Sequence, residues 1–152
     1  MQTSYFGRIN SKNFRGRDLN AVSIARSCRY WSGKTYPPLF PTFDMINMQD
    51  PWEYEKVYTE KILSKLDPLQ VWLDLGEDAI LLCHESAAKC ESGETFCHRH
   101  IVARWLEQGL REEYGWDDIS IQEMKDDKQD LKQVLKTEKK KSNIEQQELC
   151  LS

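Results

Sequence analysis

An α/β domain with a short, mostly parallel sheet and helices on both faces is predicted by three observations in this 152-residue chain. Short apolar or aromatic runs alternate with helical patterns, the order expected of βαβ units. The run 21–25, AVSIA, is mostly apolar without strict alternation, which suits a strand covered on both faces. Two helix starts repeat one signal, Asp50-Pro51 and Asp67-Pro68. In each, an aspartate can cap free amides and a proline suits the first helical position.

Taken in order, residues 3–9, TSYFGRI, read as a first strand because aromatics favour sheet. Residues 10–18 are polar, basic and contain Gly16, so they read as a loop. Residues 19–26 form a second strand. Residues 27–49 show no period and hold Gly33, Pro37-Pro38 and Pro41, which oppose regular structure. Their five aromatics, Tyr30, Trp31, Tyr36, Phe40 and Phe43, argue against disorder and for a packed covering over the sheet. A helix follows Asp50, with Glu53 completing a capping box and Tyr54, Tyr58, Ile62 and Leu66 on one face. A shorter one follows Asp67 and stops at Gly76. Residues 79–83 are a strand, residues 98–113 a helix ending at Gly115, and residues 119–121 a last strand.

The net charge of −4 conceals an asymmetry. Residues 1–36 carry seven Lys/Arg (Arg8, Lys12, Arg15, Arg17, Arg26, Arg29, Lys34) against one acid, whereas residues 37–121 carry seven against seventeen. Overall acidity makes a poor generic nucleic-acid binder, yet the basic first quarter can form a local anion site. No apolar run of membrane-spanning length exists, so no membrane association is expected. The start, MQTSYFGRIN, lacks the features of a secretory signal. Five cysteines without framework spacing point to reduced thiols and a cytoplasmic protein. The organisation expected is one domain over 1–121 and a charged tail over 122–152. The tail has no aromatics and reads as disordered or partly helical, with a protein partner through Leu131, Val134 and Leu135 as its functional option.

Three of the five cysteines and all three histidines lie between Asp78 and Leu106. The strand there ends in Cys83-His84-Glu85, and the helix begins at Cys97-His98-Arg99. Reactive side chains therefore flank one loop at the carboxyl end of a strand, where open α/β sheets bind ligands.

Three blocks resemble the DUF488 family, small α/β proteins of unknown function. They are TSYFGRI, then VSIARSCRYWSGKTYPPLFPTFDMI, then YTEKILSKLDPLQVWLDL followed by AILLCHES and FCHRHIVARWLE. Together they cover roughly residues 3–110. The loop 86–96 departs from the family in being longer and in adding Cys90. The resemblance implies a Rossmann-like three-layer domain with its site at the Cys-x-Glu and Cys-His-Arg edges.

The cluster supports three chemistries. Cys97, at a helix start where unpaired amides favour thiolate, can be a nucleophile, with Glu85 or His98 as general acid or base. Cys83, His84, Cys97 and His98 are metal-ligand candidates by type. Their spacing fits no common zinc pattern, and neighbours such as Cys97 and His98 seldom reach one ion from a helix start, so a metal is not the favoured cofactor. Arg26, Ser27 and Arg99 can hold phosphate, and Tyr30 and Trp31 can stack on a base. The leading expectation is an enzyme acting on a nucleotide, or on a base or sugar in nucleic acid. Glu85, Cys97 and His98 are its catalytic candidates. The alternative is a non-catalytic nucleotide- or nucleic-acid-binding module, with a structural metal site as a further option.

Overall fold

A computed structural model describes residues 1–125 of the protein. Its centre is a five-stranded, all-parallel sheet in the order β3-β2-β4-β1-β5. The strands are β1 (Gln2–Tyr5), β2 (Ala21–Ser23), β3 (Lys34–Thr35), β4 (Ile80–Cys83) and β5 (Gln122–Glu123). β4 is central, with Ile80 and Leu81 opposite Gln2 and Thr3 on one side and opposite Ala21 and Val22 on the other. All four of its residues are buried, as its unalternating apolar sequence predicts. Ser4 and Ser23, in the flanking strands, are buried with it.

Among the described residues five helices cover the two faces unevenly. The longer ones, α2 (Pro51–Lys61), α3 (Pro68–Leu75) and α5 (His98–Tyr114), pack with Val22, Ile24 and Leu81 into the larger core. On the other face Phe6 and Ile9 of α1 (Phe6–Ile9) pack with Ala21, Ile80 and Leu82. The short α4 (Ala87–Glu91) adds Cys90 to that cluster. Full burial of Leu81, Leu82, Leu106 and Leu110 contributes about 2 kcal/mol for each side chain.

The helix starts form as their sequences dictate. Asp50 accepts from the Trp52 and Glu53 amides and Asp67 from the Leu69 amide, each ahead of a proline. Gly76 and Gly115 end α3 and α5 at positive φ (93° and 70°), a conformation that costs other residues strain.

Several boundaries differ from expectation. The first strand stops at Tyr5, and Phe6–Ile9 turn into a helix whose Phe6 and Ile9 reach back to the sheet. The last strand lies at Gln122–Glu123 rather than 119–121. The sheet therefore continues past the boundary expected at 121. The aperiodic segment supplies β3 and two 3-10 turns, Pro37–Leu39 and Phe43–Met45. The remainder of the expected tail, from residue 126, lies outside the described residues. No described helix is long and apolar enough to cross a membrane.

Candidate functional site

Parallel pairing of β2 with β4 sets their carboxyl ends side by side. Residues leaving β2 (Ala25, Arg26, Ser27) and β4 (Cys83, His84, Glu85) thereby share one edge of the sheet. They meet the start of α5 there, around a cavity of about 290 Å³. Its wall is completed by Tyr54 of α2, by Pro41, Ile46 and Met48 of the aromatic segment, and by Thr95-Phe96 ahead of Cys97.

The floor is sulfur and imidazole. Cys83 ends β4, and His98 opens α5 with its Nδ1 3.4 Å from Cys83 Sγ. Its Nε2 lies 2.8 Å from the Ile24 carbonyl oxygen. A carbonyl only accepts, so Nε2 carries a hydrogen, and in the neutral ring Nδ1 then presents its lone pair to the sulfur. Cys97 is the residue before α5, with extended backbone (φ −139°, ψ 136°). Because Cys97 is not yet helical, its side chain turns to the same side as that of His98. The donor atoms of Cys83, Cys97 and His98 all lie within 4.8 Å of one another, and all three residues are buried. Neighbouring Cys97 and His98 were not expected to converge. Helical spacing separates adjacent side chains, but that spacing begins only after the cap.

Burial pushes the Cys97 thiol well above its ordinary value, and the neighbouring Cys83 adds to this. The expected helix-end thiolate is opposed by burial, since the residue is 4% exposed and desolvation disfavours its charged form. Burial also raises the half-buried Cys90 thiol.

The rim differs in character. Arg26 donates from Nε to the Pro41 carbonyl at 2.6 Å, and its guanidinium lies 4.4 Å from the centre of the Phe43 ring. Among the described residues no carboxylate pairs with Arg26, and none hydrogen-bonds the Glu85 carboxylate. His84 packs against Phe6, and its Nε2 lies 2.7 Å from the Ser27 carbonyl, tying the two strand ends together. That contact holds His84 away from the three floor donors, so the metal-candidate set loses it.

Arg99, expected to hold phosphate, does not line the cavity. Its side chain is fully buried and forks onto Glu123, Nε to Oε2 and Nη2 to Oε1, each at 3.2 Å. Its Nη1 donates to the Glu85 carbonyl at 2.6 Å, which fixes the backbone that carries the rim carboxylate. Burial alone would raise the Glu123 carboxyl, but His100, Thr3 and Arg99 hold it down at about 2.

The expected stacking pair is also absent from the cavity. Tyr30 is 84% exposed elsewhere, and Trp31 packs on Phe6 and donates to the Lys34 carbonyl. The aromatic walls are Tyr54 and Phe96, whose rings meet edge-on at 5.1 Å. Tyr54 had been legible only as one position of a helix face. In the basic quarter, Arg8 donates to the Met124 carbonyl and lies over Tyr5, and Arg17 lies over Phe14. Comparison with protein-family models, with curated proteins and with solved structures finds no match to this chain.

Proposed function

We propose that the chain is an enzyme acting on a nucleotide, free or within nucleic acid, and that it is DUF488-like in the arrangement of its site. One observation carries this reading. Arg26 and Glu85, opposite charges with no ionic partner among the described residues, line the same cavity at the carboxyl edge of a parallel sheet. A guanidinium held by the Pro41 carbonyl and the Phe43 ring, but by no carboxylate among the described residues, suits a phosphate oxygen, and Ser27 beside it adds a hydroxyl donor. Glu85 is the general acid or base, because it is the acidic residue among those lining the cavity and its backbone is held by Arg99. Phe96 and Tyr54 supply an apolar wall for a base. Cys97 and His98, the other catalytic candidates, form the floor. Burial disfavours a Cys97 thiolate, so the proton transfer is assigned to Glu85 in this reading.

The test is a panel of mononucleotides and short oligonucleotides, assayed for binding by calorimetry and for product by chromatography. Glu85→Gln should keep binding and lose turnover, whereas Arg26→Met should weaken binding of phosphorylated ligands selectively over nucleosides. Salt-sensitive binding without turnover by the unaltered protein would instead assign the non-catalytic module. Absence of binding across the panel would reject both readings.

A further inference from the structure

Cys83, Cys97 and His98 hold their donor atoms at separations that one shared metal ion would need. A tetrahedral zinc ion has sulfur ligands at about 2.3 Å and nitrogen ligands at about 2.0–2.1 Å, which places S and N about 3.5 Å apart. Cys83 Sγ and His98 Nδ1 are 3.4 Å apart, and Cys97 brings the third donor within 4.8 Å of both. The imidazole is also oriented as metal-bound histidines are. Its far nitrogen is fixed by a protein acceptor, the Ile24 carbonyl at 2.8 Å, which leaves the near lone pair directed at the donors. Three elements impose the arrangement: the end of β4, the extended residue before α5, and the first turn of α5.

We infer that Cys83, Cys97 and His98 bind a single thiophilic divalent transition-metal ion, zinc by ligand type, at the floor of the cavity. Two thiolates and one imidazole suit zinc and its neighbours rather than calcium or magnesium, which take oxygen ligands. Binding exchanges two thiol protons, released to solvent, for two sulfur–metal bonds. All three residues line the cavity, so the fourth position opens into it. Three protein ligands with an open position distinguish a catalytic metal site from a closed structural one. The site stands whether or not the ligand of the rim is a nucleotide.

The test uses the full chain, purified without chelator or polyhistidine tag. Elemental analysis should find about one metal ion per chain. Cobalt(II) added to chelator-treated protein should produce a thiolate-to-metal charge-transfer band and the intense ligand-field bands of a tetrahedral site. X-ray absorption of the zinc form should count two sulfur neighbours. Cys83→Ser and Cys97→Ser should each lose the ion, and Cys90→Ser should retain it. Folded protein that takes up neither zinc nor cobalt would overturn the inference, as would an ion retained in both Cys83→Ser and Cys97→Ser. A Cys83–Cys97 disulfide formed by metal-refractory protein would likewise overturn it. The spectra of the unaltered chain decide the matter if the serine variants do not fold. Nucleotide binding is not a readout, so failure here leaves the rim untouched, and failure at the rim leaves this result standing.

Discussion

Replacing Glu123 with alanine should be among the most destabilising single changes in the described domain. The Arg99 guanidinium is fully buried, and its partners are the two Glu123 oxygens and the Glu85 carbonyl. Glu123→Ala removes the only carboxylate bonded to Arg99 among the described residues and leaves a buried cation with one neutral acceptor. The cost of orphaning one partner of a buried pair is on the order of 3–5 kcal/mol. For a domain of this size that corresponds to a fall in Tm of about 10–20 °C. Thr3 Oγ1, 2.6 Å from Glu123 Oε2, and His100 lose an acceptor as well. Glu123→Gln should cost less, about 1–3 kcal/mol, because one oxygen still accepts. Removing both charges, in Arg99→Met with Glu123→Leu, should recover much of the loss. Urea unfolding at neutral pH measures each variant. The pH dependence has a definite sign. The folded-state carboxyl titrates at about 2 against an ordinary 4.5, so its contribution is complete above 4.5 and disappears as pH falls toward 2. The stability gap between the unaltered protein and Glu123→Gln should therefore narrow on acidification through that window. A Glu123→Ala penalty below about 1 kcal/mol would refute the reasoning, since a buried, unpaired guanidinium cannot be that cheap. So would a gap independent of pH.

Three further outcomes follow from single contacts. Tyr58→Phe removes a buried donor to the Leu39 carbonyl (2.6 Å) and should cost about 1–3 kcal/mol in urea unfolding; an unchanged midpoint would show that water replaces the hydroxyl. Gly109→Ala would bring a Cβ within 2.6 Å of the Pro68 ring. The helix-propensity gain of about 1 kcal/mol should therefore be outweighed by overpacking of about 1–3 kcal/mol between α5 and α3, and a stabilised variant would mean that α3 yields. Asp50→Ala should cost about 1 kcal/mol by freeing the Trp52 and Glu53 amides, read as a lowered Tm, whereas Asp50→Ser should be nearly neutral.

What could be read from the sequence was local. Asp50-Pro51, Asp67-Pro68, Gly76 and Gly115 mark helix ends because a cap is a contact among neighbours in the chain, and the structure uses all four. The central strand declared itself through Ile80-Leu81-Leu82, buried as apolar runs must be. Phe6–Ile9 misled because aromatic and β-branched residues suit a strand, yet packing Phe6 and Ile9 on the sheet turns them into a helix. Arg99 misled for another reason. A guanidinium at a helix start is an anion site only if nothing else in the chain reaches it, and Glu123, 24 residues on, does. No local signal marks that pairing, which depends on β5 joining β1 at the sheet edge. The floor was half legible. Its residues were named, but their convergence depends on the extended backbone of Cys97, which spacing rules written for helices do not describe.

The site divides into two parts by exposure, and the division follows from the fold. β4 is covered on both faces, so its final residue, Cys83, is still buried while the next two emerge at the sheet edge. Cys97 and His98 are buried against it for the same reason, because α5 begins over the sheet rather than beyond it. Soft, weakly hydrated donors tolerate that position, whereas a carboxylate or guanidinium there needs a partner, as Arg99 shows with Glu123. Arg26 and Glu85 sit one step further out, where solvent supports an unpaired charge until a ligand replaces it. A buried donor set beneath a rim of charge without ionic partners among the described residues is the arrangement on which the proposed ion-holding floor and ligand-selecting rim rest. The two proposed roles can therefore be tested separately: sulfur substitutions at the floor should abolish metal uptake and leave the proposed phosphate binding at Arg26 measurable, while Arg26→Met should do the reverse.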